Sequence, residues 1–377
     1  MEQRRARRLV LRTAAPADAA VSRMACISLV MIARDEARCI ERCLRSAAGW
    51  VDDMWVLDTG SVDDTPAIAR RCGAQVVPWS WREDFAAARN AALDLSASDW
   101  NLVLDADEWI AGAAGALQDW CHDPRPRIGL LRVASLVDGA GGGTQLAPSW
   151  LPRLLPRDVR YTGRVHEQPQ SALLRQRLAL QVLHDGYLPA QMGRKQGRNR
   201  ALLQRALQDD DQDPYLHYQL GKDHEVHGDY AAAAPCYARA LTAVDTLAAW
   251  RHDLVLRCLF TLKKLRRYDD ALQLAEREMP LWDHSPDFYF TLGDLLLDAA
   301  AGQPQHVATL LPLAEAAWRR ALDIGENPSL PDTVLGRGSF LAAHNLAVLH
   351  EGLGDAAQAR AWQERAAQLR AAGQAAA

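Results

Sequence analysis

Asn101-Leu102-Val103-Leu104-Asp105-Ala106-Asp107-Glu108 is the stretch that decides the fold. A short apolar run that passes directly into a cluster of acids reads as a buried strand ending at a polar crevice. The same pattern repeats upstream. Phe85 to Leu95 is an alanine-rich helix and Gln75-Val76-Val77 a strand, and a helix capped by Asp63 or Asp64 runs through Ile68 to Cys72. Before these come Met54-Trp55-Val56-Leu57, a strand ended by Asp58-Thr59-Gly60-Ser61, and Glu36 to Ala47, a helix with Ile40, Cys43, Leu44 and Ala47 on one face. Ile27-Ser28-Leu29-Val30-Met31-Ile32 is the first strand. Strands and helices alternating at this spacing predict an α/β domain, a mainly parallel sheet with helices on both faces. In such sheets ligands bind beyond the carboxyl ends of the strands, where Asp58 and the Asp105 to Glu108 run fall.

Downstream, Trp150, Arg153-Leu154-Leu155-Pro156 and Tyr161-Thr162-Gly163-Arg164-Val165-His166-Glu167-Gln168 mix Pro, Gly and charge, and predict a loop region, not a core strand. His184-Asp185-Gly186-Tyr187 is a further polar cluster. From about Gly197 strand signals vanish and the chain becomes helical and repetitive. Leu220-Gly221, His224, Gly228-Asp229-Tyr230, Ala233, Tyr237 and Ala240 fit a tetratricopeptide repeat, whose period is about 34 residues. Leu292-Gly293, Ala314, Trp318, Ala321 and Pro328 fit again, with an insertion between the helices. Tyr268, Ala271 and Ala275 mark a degenerate copy, and Leu346-Ala347, Gly354-Asp355, Ala359 and Ala366 a last one. The bland alternative is a plain helical bundle. The expected organisation is a disordered basic tail over 1–24, an α/β domain over 25–195 and an all-α repeat solenoid over 196–377.

Composition narrows the function. A chain of 377 residues, 49% apolar and 24% charged, is ordinary for two or three globular domains and excludes a mostly disordered protein. Forty-three basic residues against 47 acidic give a net charge of -4, which argues against a general nucleic-acid binder. Seven cysteines without a CxxC read as reduced thiols in a cytoplasmic protein. No apolar run is long enough to be a transmembrane helix, which leaves peripheral attachment at the inner face of the membrane open. Arg4, Arg5, Arg7, Arg8, Arg12 and Arg23 make the start basic, and Leu9-Val10-Leu11 is too short an apolar run for a secretory signal. This start reads as a tail, or as sequence upstream of a true start at Met24.

Four motifs carry a family resemblance. They are Ser28 to Glu36, Val56-Leu57-Asp58-Thr59-Gly60-Ser61-Val62-Asp63-Asp64-Thr65, Asp84-Phe85-Ala86-Ala87-Ala88-Arg89-Asn90-Ala91-Ala92, and Leu102 to Glu108. In this order and spacing the first half resembles family 2 glycosyltransferases, enzymes with the nucleotide-sugar-binding fold called GT-A. With its helical repeats the chain looks like the bacterial subgroup that joins such a domain to tetratricopeptide repeats, to which the S-glycosyltransferases of bacteriocin peptides look related. The resemblance implies a nucleotide-diphospho-sugar donor, a divalent metal (Mn2+ or Mg2+) and inversion at the anomeric carbon. The acceptor class stays open among peptide, protein and glycan, with the repeats positioning it or binding a partner.

The residue types suit that chemistry. A diphosphate leaving group asks for a hard cation, and hard cations take carboxylate oxygens. Asp105 and Asp107, at i and i+2 of a segment expected to be extended, are expected to point to one side. By the family pattern Asp107 is the first metal ligand, while Asp105 meets the ribose or sugar, or the metal through water. Asp58 faces the nucleotide, and family members often carry a second Asp where this chain has Thr59. Arg89 matches the family's helix arginine near the donor. Glu36 opens the first helix near the crevice, as a donor contact or as a helix-dipole acid. Glu167 is the candidate acceptor-side base, with Asp185 in reserve. His166 is expected near phosphate or metal, and His184 near the metal or diphosphate or as a turn cap.

Other features read as structural. Trp79 and Trp81 pack or line the cleft. Cys39 and Cys43, at i and i+4, are expected to be buried. Gly139 to Gly143 reads as a flexible loop that can serve as a lid. Two other functions fit the sequence less well. A non-catalytic adaptor would have no need to keep Asp58, Arg89, Asp105 and Asp107 together. A nucleotidyltransferase would need a glycine-rich loop where Ala33-Arg34-Asp35-Glu36 stands.

Overall fold

The computed structural model describes residues 26–112, 115–123, 125–139, 143–186, 197–330 and 333–375. The expected tail, Tyr187 and the 195/196 boundary lie outside the described residues.

The first half alternates as its periodicity predicts. β1 (Ile27–Ala33), α1 (Ile40–Ala47), β2 (Asp53–Asp58), α2 (Thr65–Arg71), β3 (Gln75–Pro78), α3 (Phe85–Leu93) and β4 (Trp100–Val103) follow one another. β5 (Glu108–Ala111), α4 (Gly115–His122), a long β6 (Ile128–Gly139) and β7 (Gly143–Pro156) come next, then β8 (Arg160–Thr162), β9 (Gln168–Gln170) and β10 (Arg175–His184). The eight-stranded sheet has the order β3-β2-β1-β4-β7-β6-β10-β5. β1 to β4 pair in parallel, β7 runs antiparallel to β4 and β6, and β10 pairs parallel with β6 and antiparallel with β5. One face buries Leu29, Met31, Ile40, Leu44 and Leu102, and the other buries Val30, Leu57, Val103 and Leu155 under α3.

Three local expectations change. The first helix begins at Ile40, four residues after Glu36. Asp35 is left-handed (φ 55°) and its carboxylate accepts from Val62 N, so Glu36 lies in the turn before the helix. Trp150 to Pro156 is no loop but part of β7, a central strand with Leu154 and Leu155 buried. Its proline is tolerated because Pro152 sits where the β6–β7 register slips, beside Gly129, whose missing Cβ leaves room for Leu154. The segment Asp105–Glu108 is a turn, closed by Glu108 N donating to Asp105 O (3.0 Å), so the two aspartates do not share a face. The glycines Gly139 and Gly143 pair as the ends of β6 and β7, and 140–142 lie outside the described residues.

The second half is helical throughout: α5 (Arg198–Asp209), α6 (Pro214–Val226), α7 (Tyr230–Ala243), α8 (Arg251–Lys264), α9 (Tyr268–Glu278), α10 (Pro286–Gly302), α11 (Val307–Ile324), α12 (Phe340–Gly352) and α13 (Ala356–Ala375). No described helix is long and apolar enough to cross a membrane. α6 to α13 form successive antiparallel pairs around one continuous core. The small-to-aromatic contacts of the repeat pattern hold them together. Gly221 abuts Tyr237, and Gly293 abuts Trp318.

These contacts allow a test. A Cβ at position 293 would lie 2.5 Å from the fully buried Trp318 indole, and one at 221 would lie 2.4 Å from the Tyr237 ring. Replacing Gly by Ala in a helix gains about 1 kcal/mol in propensity, but overpacking a fixed ring costs about 1–3 kcal/mol. Gly293→Ala and Gly221→Ala are therefore expected to lower the denaturant midpoint, whereas Gly352→Ala, with open space around it, raises or preserves it.

Candidate active site

The carboxyl ends of β1, β2 and β4 lie side by side in the sheet, with Asp58 at the end of β2 and the Asp105–Glu108 turn after β4. Asp58, the last residue of β2, is buried, and its carboxylate accepts from Ser61 N (3.2 Å). Thr59 donates to Ala33 O at the end of β1. Glu36 is fixed by its N–H to Thr65 Oγ1 (2.7 Å), and its carboxylate accepts from Cys39 Sγ (3.2 Å). Cys39 and Cys43 are buried, and burial pushes both thiols upward. They act as apolar packing behind the acidic turn.

A chain of buried ion pairs runs through the site. Arg153 of β7 donates to Asp105 Oδ2 (2.9 Å) and Glu108 Oε1 (2.5 Å). Arg89 of α3 donates through Nη2 to Asp105 Oδ1 (2.8 Å) and through Nε to Glu167 Oε1. Burial opposes ionisation of Asp105, but the two guanidiniums overcome it and hold the carboxyl far below the usual range. Burial drives Glu108 upward, partly offset by Arg153. Arg89 Nη1 is buried without a hydrogen-bond partner, an unsatisfied donor of the kind that buried sites normally pair.

Asp107 faces His184 across the β5–β10 edge, where His184 pairs in register with Glu108. Its Oδ2 lies 3.4 Å from His184 Nε2, and His184 Nδ1 meets Ser135 Oγ (3.1 Å). Burial alone would lower the His184 pKa, but the hydrogen bond and charge of Asp107 raise it. A Cβ at Gly186 would lie 2.4 Å from His184 Nε2 and 2.5 Å from Asp107 Oδ2. Among the described residues no group of three or more acids, histidines or cysteines forms a metal cluster. A carboxylate oxygen of Asp107 and a ring nitrogen of His184, with no Cβ at position 186 between them, are donors of the kind a divalent cation takes.

Asp185 has a different setting from the one its type alone suggests. Arg38 grips it bidentately (2.9 and 3.0 Å) and Arg42 adds a third contact (2.6 Å) while stacking on Trp109 (3.6 Å). His166 is left-handed (φ 54°), and burial together with Lys222 lowers its pKa. The structure thus brings together Arg89, Asp105 and Glu167 in one network and Asp107 with His184 in another. Arg38, Arg42, Ser135 and the role of Arg153 escaped sequence reasoning. The Arg153 signal was present in Trp-Leu-Pro-Arg-Leu-Leu, whose apolar flanks mark a buried strand once its proline is read as a bulge.

The comparisons agree with this architecture. Residues 28–120 match the family described as glycosyl transferase family 2. A TPR repeat-containing protein of Synechococcus elongatus is 33% identical over 309 residues, 74% of this chain and 74% of that protein. The SPbeta prophage-derived glycosyltransferase SunS of Bacillus subtilis is 25% identical over 276 residues, 67% of this chain but only 63% of that protein's length. The crystal structure of glucosyl-3-phosphoglycerate synthase from Mycobacterium tuberculosis overlaps 29% of this chain and 44% of its own, at 24% identity and a TM-score of 0.25, too low to add to the fold described above. An α/β domain that matches glycosyl transferase family 2, in a chain similar to named glycosyltransferases, is that of a glycosyltransferase. The chain belongs to the family 2 glycosyltransferases whose transferase domain continues into tetratricopeptide repeats.

The Asp185 clamp makes a pH prediction. Burial would raise this carboxyl, but the hydrogen bonds from Arg38 and Arg42 lower it from 3.8 to about 2. A depressed folded-state value stabilises the fold above the unfolded pKa and loses that contribution as pH falls from 3.8 through about 2. In metal-free buffer Asp185→Asn is expected to unfold earlier than the parent at pH 7, and the two midpoints should converge as pH approaches 2. A constant gap across that window would remove the clamp from the stability account.

Proposed function

We propose that this glycosyltransferase moves a sugar from a nucleotide-diphospho-sugar to an acceptor with inversion at the anomeric carbon. The observation that carries the reading is the buried chain Arg153–Asp105–Arg89–Glu167 beside the Asp107–His184 pair. Asp107 and His184 would hold a divalent cation, Mn2+ or Mg2+. When bound, that cation neutralises the negative charge of the departing diphosphate.

The chain's own residues then divide the work. Asp58 and Glu36 line the nucleotide end of the crevice. Arg89 offers Nη1 to a donor oxygen, and Asp105, saturated by two guanidiniums, sets the position of Arg89 and Arg153 instead of ligating a cation. Glu167 is the acceptor-side base. Arg89 takes its Oε1, which leaves Oε2 to receive the acceptor proton. A base works best with a pKa near the operating pH, so Asp185, held at about 2 by its clamp, is the poorer choice. Burial, and then Lys222, lower the His166 pKa, which disfavours its charged form. The acceptor is a peptide, protein or glycan brought to Glu167 by the repeat region.

Two variants test the assignment. Asp107→Ala is expected to abolish transfer and the response to added Mn2+ while keeping the far-UV spectrum of the parent. Glu167→Gln is expected to keep donor affinity and lose turnover on the order of 10²–10⁴-fold with a hydroxyl acceptor, and less with a thiol, whose thiolate needs less help. Weakened donor binding with an unchanged bound-state rate would move Glu167 to the donor side.

A further inference from the structure

The segment that carries Glu167 is held by the repeat region. Val165 is buried in a small cluster of its own, with Leu202, Leu203 and Ala206 of α5 and Leu216 and Leu220 of α6. Trp81 and Phe85 of the transferase half pack against the same cluster. This cluster is separate from the solenoid core, which starts with Tyr218 of α6. The buried apolar residues of α5 share this one cluster with Val165 on one side and with Leu216 and Leu220 of α6 on the other. In packing terms α5 bridges the transferase half and the first repeat helix.

Polar contacts fix the same segment from both sides. Arg164 pairs with Asp209 at the end of α5 (3.0 Å), and Gln168 Nε2 donates to Tyr215 Oη of α6 (3.4 Å). Arg164 O accepts from Phe85 N at the start of α3 (2.8 Å). Arg205 of α5 pairs with Glu83, just before α3. Glu83 and His166 are both left-handed (φ 57° and 54°), a conformation that non-glycine residues hold only where their surroundings impose it. Two strained hinges therefore meet the same helix pair. One leads through His166 to Glu167. The other leads into α3, where Phe85 stands one turn before Arg89. Both ends of the Arg89–Glu167 pair depend on α5 and α6.

We propose that α5 and α6 are positioning elements of the transfer site, acting through Val165 and the start of α3 to keep Glu167 against Arg89. The inference rests on the reading of Glu167 as the base. It assigns the first helix pair a part in the chemistry, distinct from any docking of acceptor along the later repeats. It also places the functional boundary of the transferase unit after α6.

The test uses the full chain. Leu203, fully buried in α5, touches none of the proposed donor or acceptor groups. Leu295, equally buried in α10, is the matched control. The readouts are steady-state hydrolysis of UDP-glucose with Mn2+, or of whichever nucleotide sugar in a UDP, GDP and TDP panel the parent cleaves, and titration with the corresponding nucleoside diphosphate. Leu203→Ala is expected to lower kcat about 10- to 100-fold, the scale of a small misplacement, with KM and diphosphate affinity within about twofold. Leu203→Met restores most of the rate, and Leu295→Ala leaves both constants unchanged despite a similar loss of stability. Should Leu203→Ala fold poorly, Arg205→Ala combined with Asp209→Ala, both on exposed positions, is expected to show a smaller fall in kcat at parental KM. Parental kcat in these variants, or an equal fall in Leu295→Ala, overturns the proposal. Glu167→Gln run in parallel separates the two readings. Parental turnover there overturns the base assignment on which the proposal rests. An inactive Glu167→Gln beside a fully active Leu203→Ala overturns the positioning role alone.

Discussion

The contact on which the site depends is Arg153 beneath the Asp105–Glu108 turn. Two carboxylates three residues apart, Glu108 buried and Asp105 one-third exposed, repel each other, and burial presses Glu108 toward protonation. Arg153 reaches both with one nitrogen. It can do so only because β7 runs through the middle of the sheet, next to β4, and delivers the guanidinium from below. Removing one partner of a buried pair of this kind costs about 3–5 kcal/mol, although the intact pair adds little net stability over an apolar substitute. The network's return lies in placement. Asp105, once saturated, becomes a fixed point from which Arg89 is hung, and Arg89 in turn fixes Glu167.

The alternation of strands and helices and the repeat helices were legible because each rests on local periodicity, whereas the strand order and the antiparallel β7 and β5, which make the sheet mixed, were not. Ile40, Cys43, Leu44 and Ala47 share a helix face in the sequence and in the structure alike. What was not legible depends on contacts distant in the chain. Arg38 and Asp185 are 147 residues apart, so nothing local distinguishes a clamped carboxylate from a base. The acidic turn is local, closed by Glu108 N to Asp105 O and by the Glu108 carboxylate on Asp105 N, but it carries no glycine or proline to mark it in the sequence. Pro152 disguised β7 as a loop, because a proline is compatible with a central strand only where the register breaks, and a break is a property of the pair.

The two halves of the chain share more than a linker. Arg177 of β10 donates to Pro328 O beyond α11 (3.1 Å), so the solenoid meets the transferase sheet at a second place, far in sequence from α5. The contact lies between α11 and α12, with two helices still to follow, and adds a single exposed hydrogen bond to the hold that α5 has on the transferase half. On the proposed roles, a second point of attachment favours presenting an acceptor in one orientation, as a transfer reaction needs.

The distribution of charge also explains how one crevice can hold two carboxylates with opposite tasks. On the proposed roles, Asp107 must stay ionised on the donor side, and Glu167 must be ionised to accept a proton yet free to hold it afterwards. If they faced each other directly, each would push the other's pKa upward, and one would be lost to protonation. Instead Arg89 and Arg153 stand along the line of ion pairs that ends at Glu167, while Asp107 turns the other way toward His184. The turn that separates Asp105 from Asp107 is therefore what makes the site workable. An extended Asp-x-Asp would have put both carboxylates on one face and left Arg89 without its anchor. The same turn sends Asp107 toward His184 of β10 and Asp105 toward Arg89 of α3, so that on the proposed roles one short acidic run reaches both sides of the site.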